Sequence, residues 1–104
     1  MTREQYFAEA VKRYGEDQNN WKFRCPSCES TMTVADYMRY PNGDALIAFS
    51  CIGRLMPHAV DIGIKPGPCN YAGGGLFRFN PIDVDGEKFF DFADDPLKDG
   101  RIAE

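Results

Sequence analysis

Cys25, Cys28, Cys51 and Cys69 constrain this chain more than any other feature. The first two stand as Cys25-Pro26-Ser27-Cys28, close enough to present two side chains from one tight knuckle. The spacers that follow, 22 residues to Cys51 and 17 more to Cys69, are long enough to bring the chain back to that point. Zinc takes tetrahedral thiolate or imidazole ligands, and its structural sites close all four positions with protein side chains. The pattern therefore predicts a structural Zn2+ on Cys25, Cys28, Cys51 and Cys69. The second half lacks a CxxC pair, so Cys51-Ile52-Gly53 and Cys69-Asn70-Tyr71 would each supply one ligand from a strand end or a turn. Two alternatives stay open: a site in which His58 replaces one later cysteine, and no metal at all.

A chain of 104 residues fits one domain with a modest core, where a metal adds stability that burial alone supplies sparingly. Met1-Thr2-Arg3-Glu4-Gln5 has no apolar run of the kind a signal peptide needs, and no later segment approaches the length of a membrane span. The expected location is the cytoplasm, where thiols stay reduced and a disulfide framework is disfavoured. The net charge of −4 is uneven, because residues 83–104 carry eight acids and three bases. Residues 93–104 read as an acidic, flexible tail on a domain spanning 1–92. An acidic chain is a poor general ligand for nucleic acid, which needs clustered Lys and Arg.

Thr2 and Gln5 form a capping box, Tyr6, Phe7, Ala10, Val11 and Tyr14 recur at helical spacing, and Gly15 is a natural stop. They predict a helix over 3–14 whose aromatic face packs on the domain. Trp21-Lys22-Phe23-Arg24 alternates as a strand leading into Cys25, and Ser30 to Val34 offers a return strand. Thr33 with Asp36 could cap a short helix instead. After the turn at Tyr40 to Asp44, Ala45-Leu46-Ile47-Ala48-Phe49 reads as a fully apolar strand ending near Cys51. Residues 53–75 hold six of the ten glycines and three of the seven prolines with little periodicity, as expected of a functional or anchored loop. Leu76-Phe77-Arg78-Phe79 resumes strand character, and Ile82-Asp83-Val84, Asp85-Gly86 and Glu87 to Phe92 read as a hairpin. The fold class is α+β: an N-terminal helix packed on a short antiparallel β-sheet, with a zinc-ribbon-like four-cysteine site.

Other chemistries fit less well. Cys25-Pro26-Ser27-Cys28 resembles the redox centre of glutaredoxins, and a thiol oxidoreductase is one alternative. That centre should open a long helix, and Glu29-Ser30-Thr31-Met32-Thr33-Val34 is a poor helix start. A zinc deaminase requires H-x-E with P-C-x-x-C, and neither is present. Gly73-Gly74-Gly75 lacks the Lys and Ser/Thr of a phosphate loop and reads as a flexible turn. Tyr71, Phe77 and Phe79 with Arg54 and Arg78 could stack single-stranded nucleic acid, although alternating aromatics are more often core.

Phe23-Arg24-Cys25-Pro26-Ser27-Cys28, Phe49-Ser50-Cys51-Ile52-Gly53-Arg54 and Pro66-Gly67-Pro68-Cys69-Asn70-Tyr71-Ala72-Gly73-Gly74-Gly75-Leu76-Phe77, with Asn80-Pro81 after them, resemble a family of small uncharacterised four-cysteine proteins of bacterial genomes, prophages and other mobile elements. The resemblance covers roughly residues 16–92 and is most specific around Cys69. It implies context, not mechanism: small proteins of mobile elements often bind a host protein, including components of antiviral defence. The expectation is a non-enzymatic zinc-binding protein that binds a protein partner through the 53–75 loop. Candidate contacts are Arg54, His58, Lys65, Tyr71 and Arg78. A nucleic-acid-binding zinc module is the alternative, with Lys22, Arg24, Arg54, Lys65 and Arg78 gathered on one face.

Overall fold

The computed structural model describes residues 1–76 and 78–93. Helix α1 spans Arg3–Tyr14, and its capping box is complete: the Thr2 hydroxyl accepts from the Gln5 N–H, and the Gln5 side chain accepts from the Thr2 N–H. A 3-10 turn, Gln18–Asn20, leads into strand β1, Lys22–Arg24. β2, Thr31–Thr33, returns antiparallel to β1 and runs directly into a short helix α2, Val34–Tyr37, capped by Thr33 and Asp36. The strand and the helix expected as alternatives here therefore both form.

Two further 3-10 turns, Gly43–Leu46 and Ile52–Leu55, precede the hairpin of β3, Ile82–Val84, and β4, Glu87–Phe89. β5, Asp91–Phe92, closes a three-stranded sheet in the order β2-β1-β5, pairing Phe23 with Phe92. The architecture is α+β, as the periodicity predicts.

The core is aromatic. Tyr6 and Ala10 present the buried side of α1, and the Tyr6 ring stacks on Phe92 at 4.9 Å while its hydroxyl donates to the Phe90 carbonyl at 2.6 Å. That arrangement satisfies the polar tip and leaves the ring free to pack. Phe23 stacks on Phe92 at 5.5 Å, and the Arg13 guanidinium lies 5.1 Å over the Phe92 ring. All four cysteines belong to the same buried cluster, so the candidate metal site is continuous with this core.

Four expectations are corrected. Ala45–Phe49 is not a strand: the 3-10 turn Gly43–Leu46 takes its first two residues, and Ala48 has a φ of 58°, outside strand geometry. Leu76 and Phe79 do not lie in a strand either; Leu76 is 97% exposed and Phe79 46% exposed. The apolar face of α1 is only partly covered, since Phe7 and Val11 remain exposed. Ala93, placed at the start of the tail, is buried and donates its N–H to the Lys22 carbonyl at 2.9 Å. The rest of the expected tail, 94–104, lies outside the described residues, as does Phe77. Among the described residues no helix is long and apolar enough to cross a membrane.

Candidate metal centre

β1 delivers Cys25 and β2 leaves from Thr31, so Cys25 and Cys28 sit in the turn between two paired strands. The turn closes on itself: the Cys25 N–H donates to the Ser30 carbonyl at 2.9 Å and the Glu29 N–H to the Cys25 carbonyl at 2.9 Å. Glu29 takes a left-handed φ of 64° to complete it. A strand, not a helix, follows Cys28, which removes the local architecture a glutaredoxin-like centre needs.

Cys51 stands at the head of the 3-10 turn Ile52–Leu55, with the Arg54 N–H donating to its carbonyl at 3.1 Å and its own N–H donating to the Tyr71 carbonyl at 3.0 Å. Cys69 lies in an isolated parallel bridge with Val60. Gly53 lets these two segments meet, because a Cβ there would fall 2.0 Å from the Cys69 carbonyl oxygen. Only glycine permits that approach.

All four Sγ atoms lie within 4.8 Å of one another, and all four residues are buried. Cys25 and Cys69 sulfurs stand 3.8 Å apart, as do those of Cys28 and Cys51. A disulfide would need about 2.05 Å. Tetrahedral metal–sulfur bonds of about 2.3 Å give an S–S edge of about 3.8 Å, so the donor set fits a tetrahedral thiophilic ion. The thiols also polarise one another. The neighbouring Cys25 thiol holds the Cys51 sulfur below the ordinary thiol range, aided by the N–H groups of Gly53 and Cys69. The same contact, with burial, pushes the Cys25 thiol up, and burial pushes Cys69 up to about 11. A cation placed among them would replace the shared protons and relieve that conflict. Among the described residues this is the cluster able to hold a metal, and the exposed His58 is not part of it.

The 53–75 loop is pinned to the cysteine knuckle at several points. The Ser27 hydroxyl accepts from the Gly63 N–H at 2.8 Å, and Lys65 pairs with Glu29 at 2.9 Å. Gly67 packs over the Cys28 sulfur, which a Cβ at that position would approach to 2.3 Å. The Gly73 N–H donates to the Ser50 hydroxyl at 3.0 Å and Gly73 is buried, so the triple glycine begins as a locked contact instead of a flexible turn.

Of the expected contact residues, Arg54, His58, Lys65 and Arg78 are exposed. Tyr71 is not: its ring is fully buried against Phe79 and Phe90, and its hydroxyl accepts from the Phe79 N–H at 2.6 Å and donates to Asn80 at 3.1 Å. It braces the site from within, and partner contact is withdrawn for it. Sequence reasoning missed Ser27, Ser50 and Asn80, whose side chains bond across the loops; Asn80 reaches the Phe49 and Lys88 carbonyls at 3.1 and 3.0 Å. Gly67, set between Pro66 and Pro68, carried the one local signal that a close backbone approach was required.

A family model, described as VVA0879-like, matches residues 2–93. The chain belongs to the VVA0879-like family. The match takes in α1, both sheets and all four cysteines, so the family's common unit is the whole described domain and not the cysteine segments alone. No curated protein and no solved structure matches the chain.

Proposed function

We propose that this VVA0879-like protein is a non-enzymatic recognition module whose shape is stapled by one structural zinc ion, acting in the cytoplasm on a protein partner. The observation that carries the reading is the convergence of four buried Sγ atoms within 4.8 Å at the base of a long irregular loop. Cys25, Cys28, Cys51 and Cys69 would hold the ion, and it would supply a cross-link. Zinc fits this donor set better than a redox metal fits the role, because it holds four thiolates tetrahedrally without changing oxidation state. Four protein ligands leave no open position for substrate or water, which argues for a structural centre.

Between Cys51 and Cys69 the chain exposes Arg54, His58 and Lys65 on a backbone fixed by Ser27, Gly53 and Gly67. A loop ordered in advance loses less entropy on binding, a physical reason to anchor it. A mobile-element origin and a host-defence partner belong to the same proposal and rest on the four-cysteine pattern alone. The nucleic-acid alternative is disfavoured by one of its five cations, since Arg24 is half-buried and donates to the Ala93 carbonyl.

The test compares affinity purification from host cytosol by the native protein and by Arg54→Glu, both zinc-loaded and folded. A specific partner retained by the native chain and lost with Arg54→Glu is expected. Equal recovery by both variants overturns the assignment of the loop. Oligonucleotide binding that weakens steeply with salt would favour the nucleic-acid alternative instead.

A further inference from the structure

Away from the cysteines, α1 and the two sheets enclose an open hollow of about 190 Å³. Its walls include Tyr6, Phe7, Trp21, Phe23, Val84 and Phe89. Phe23 and Val84 are otherwise core residues, each 2% exposed, and Phe7 and Trp21 face one another at 5.6 Å. An apolar cavity of about 150 Å³ is sufficient to take up benzene.

The wall makes no polar demand on an occupant. The Tyr6 hydroxyl is spent on the Phe90 carbonyl, and the Trp21 Nε1–H on the Gly15 carbonyl at 2.9 Å. Polar groups enter the lining through Arg3 and Gln18, both exposed, and among the described residues no acid lines the hollow. Asp85 accepts the Arg3 backbone N–H at 2.9 Å, but among the described residues the Arg3 guanidinium has no hydrogen-bond or ion-pair partner. An apolar recess edged by the Arg3 guanidinium and the Gln18 amide suits a compact hydrocarbon group ending in an anion.

We propose that this hollow binds a small apolar carboxylate, with a single ring or branched alkyl group of roughly six to eight carbon atoms seated among the aromatic walls. Its carboxylate takes charge-assisted hydrogen bonds from Arg3 and a further one from the Gln18 amide. The site is separate from the cysteine cluster and does not depend on the recognition loop.

Trp21 is the chain's one tryptophan and lines the hollow, so its emission reports occupancy directly. The zinc-loaded full chain is titrated with cyclohexanecarboxylate, cyclohexylmethanol and cyclohexylmethylamine. The carboxylate should change Trp21 emission saturably, with a dissociation constant on the order of 0.1–1 mM, and bind at least about fivefold tighter than the alcohol. The amine should bind weakest, although non-specific attraction to a chain of net charge −4 would favour it. Arg3→Gln, at an exposed position, should keep the native fold and alcohol binding while losing the carboxylate preference. Four results would overturn the proposal: no saturable change up to about 10 mM, equal or tighter binding of the amine, an unchanged preference in Arg3→Gln, or emission that shifts with protein concentration alone. The last would assign the hollow to a second copy of the chain.

Discussion

Tyr6, Phe23 and Phe92 stack within 6.4 Å of one another on one side of the molecule, on a helix and two hydrogen-bonded strands. Between Cys51 and Cys69 the chain has one 3-10 turn and one isolated bridge, and Met56, Ile62 and Ile64 stand exposed. The first region draws its stability from buried aromatic area and a backbone ladder. The second buries too little to order itself, and instead meets the rest of the protein at glycines, at Ser27 and at the sulfurs. The difference teaches that aromatic burial orders one part of this fold and close contacts at glycines the other, and that the cysteine cluster lies where the two parts meet.

The largest effect should come from removing one sulfur. Structural zinc contributes roughly 10–16 kcal/mol in small zinc peptides, against about 5–15 kcal/mol for the total stability of a domain. Cys51→Ser should therefore unfold the chain at 37 °C, seen as loss of the α1 circular dichroism signal and a red-shifted Trp21 emission. If the aromatic region stays folded, the two regions are independent and the division is sharper than stated. Phe92→Ala should cost about 3–5 kcal/mol in denaturant unfolding yet leave the metal content of the folded protein unchanged. Loss of metal there would break the distinction between the two regions.

Gly53→Ala reverses that pattern on a smaller scale. Its Cβ has no room beside the Cys69 carbonyl, and overpacking of this kind costs about 1–3 kcal/mol. Zinc should then be lost to a chelator at lower concentration than from the native protein. The smallest effect is expected for Ser27→Ala, about 0.5–1.5 kcal/mol, with faster hydrogen exchange at the Gly63 amide whose acceptor is removed.

How much of this could be read in advance depended on whether the cause was local. Helix α1 and the Thr33/Asp36 cap are written in adjacent residues and form where the capping rules place them. The β3–β4 hairpin forms around Asp85-Gly86 but ends at Phe89 and not at Phe92, because Asp91–Phe92 pairs with β1 instead. The convergence of the four sulfurs was legible as well, because ligand chemistry leaves few other uses for such spacing. Ala45–Phe49 misled because a purely apolar run has no period, and a 3-10 turn takes Ala45 and Leu46 while Ala48 adopts a left-handed φ. Tyr71 misled for a related reason: its neighbours in sequence are loop residues, while its neighbours in space are Phe79, Asn80 and Phe90. The hollow edged by Arg3 and Gln18 had no sequence signature, since α1 and four other stretches of the chain build it together.

The central claim is that one zinc ion joins the aromatic region to the ligand loop through Cys25, Cys28, Cys51 and Cys69. Metal analysis of protein purified without chelator, combined with thiol alkylation of the folded chain, tests it most directly. The account predicts about one zinc per chain, with all four thiols shielded until a chelator is added. Folded protein that carries no zinc and presents four cysteines open to alkylation would contradict it.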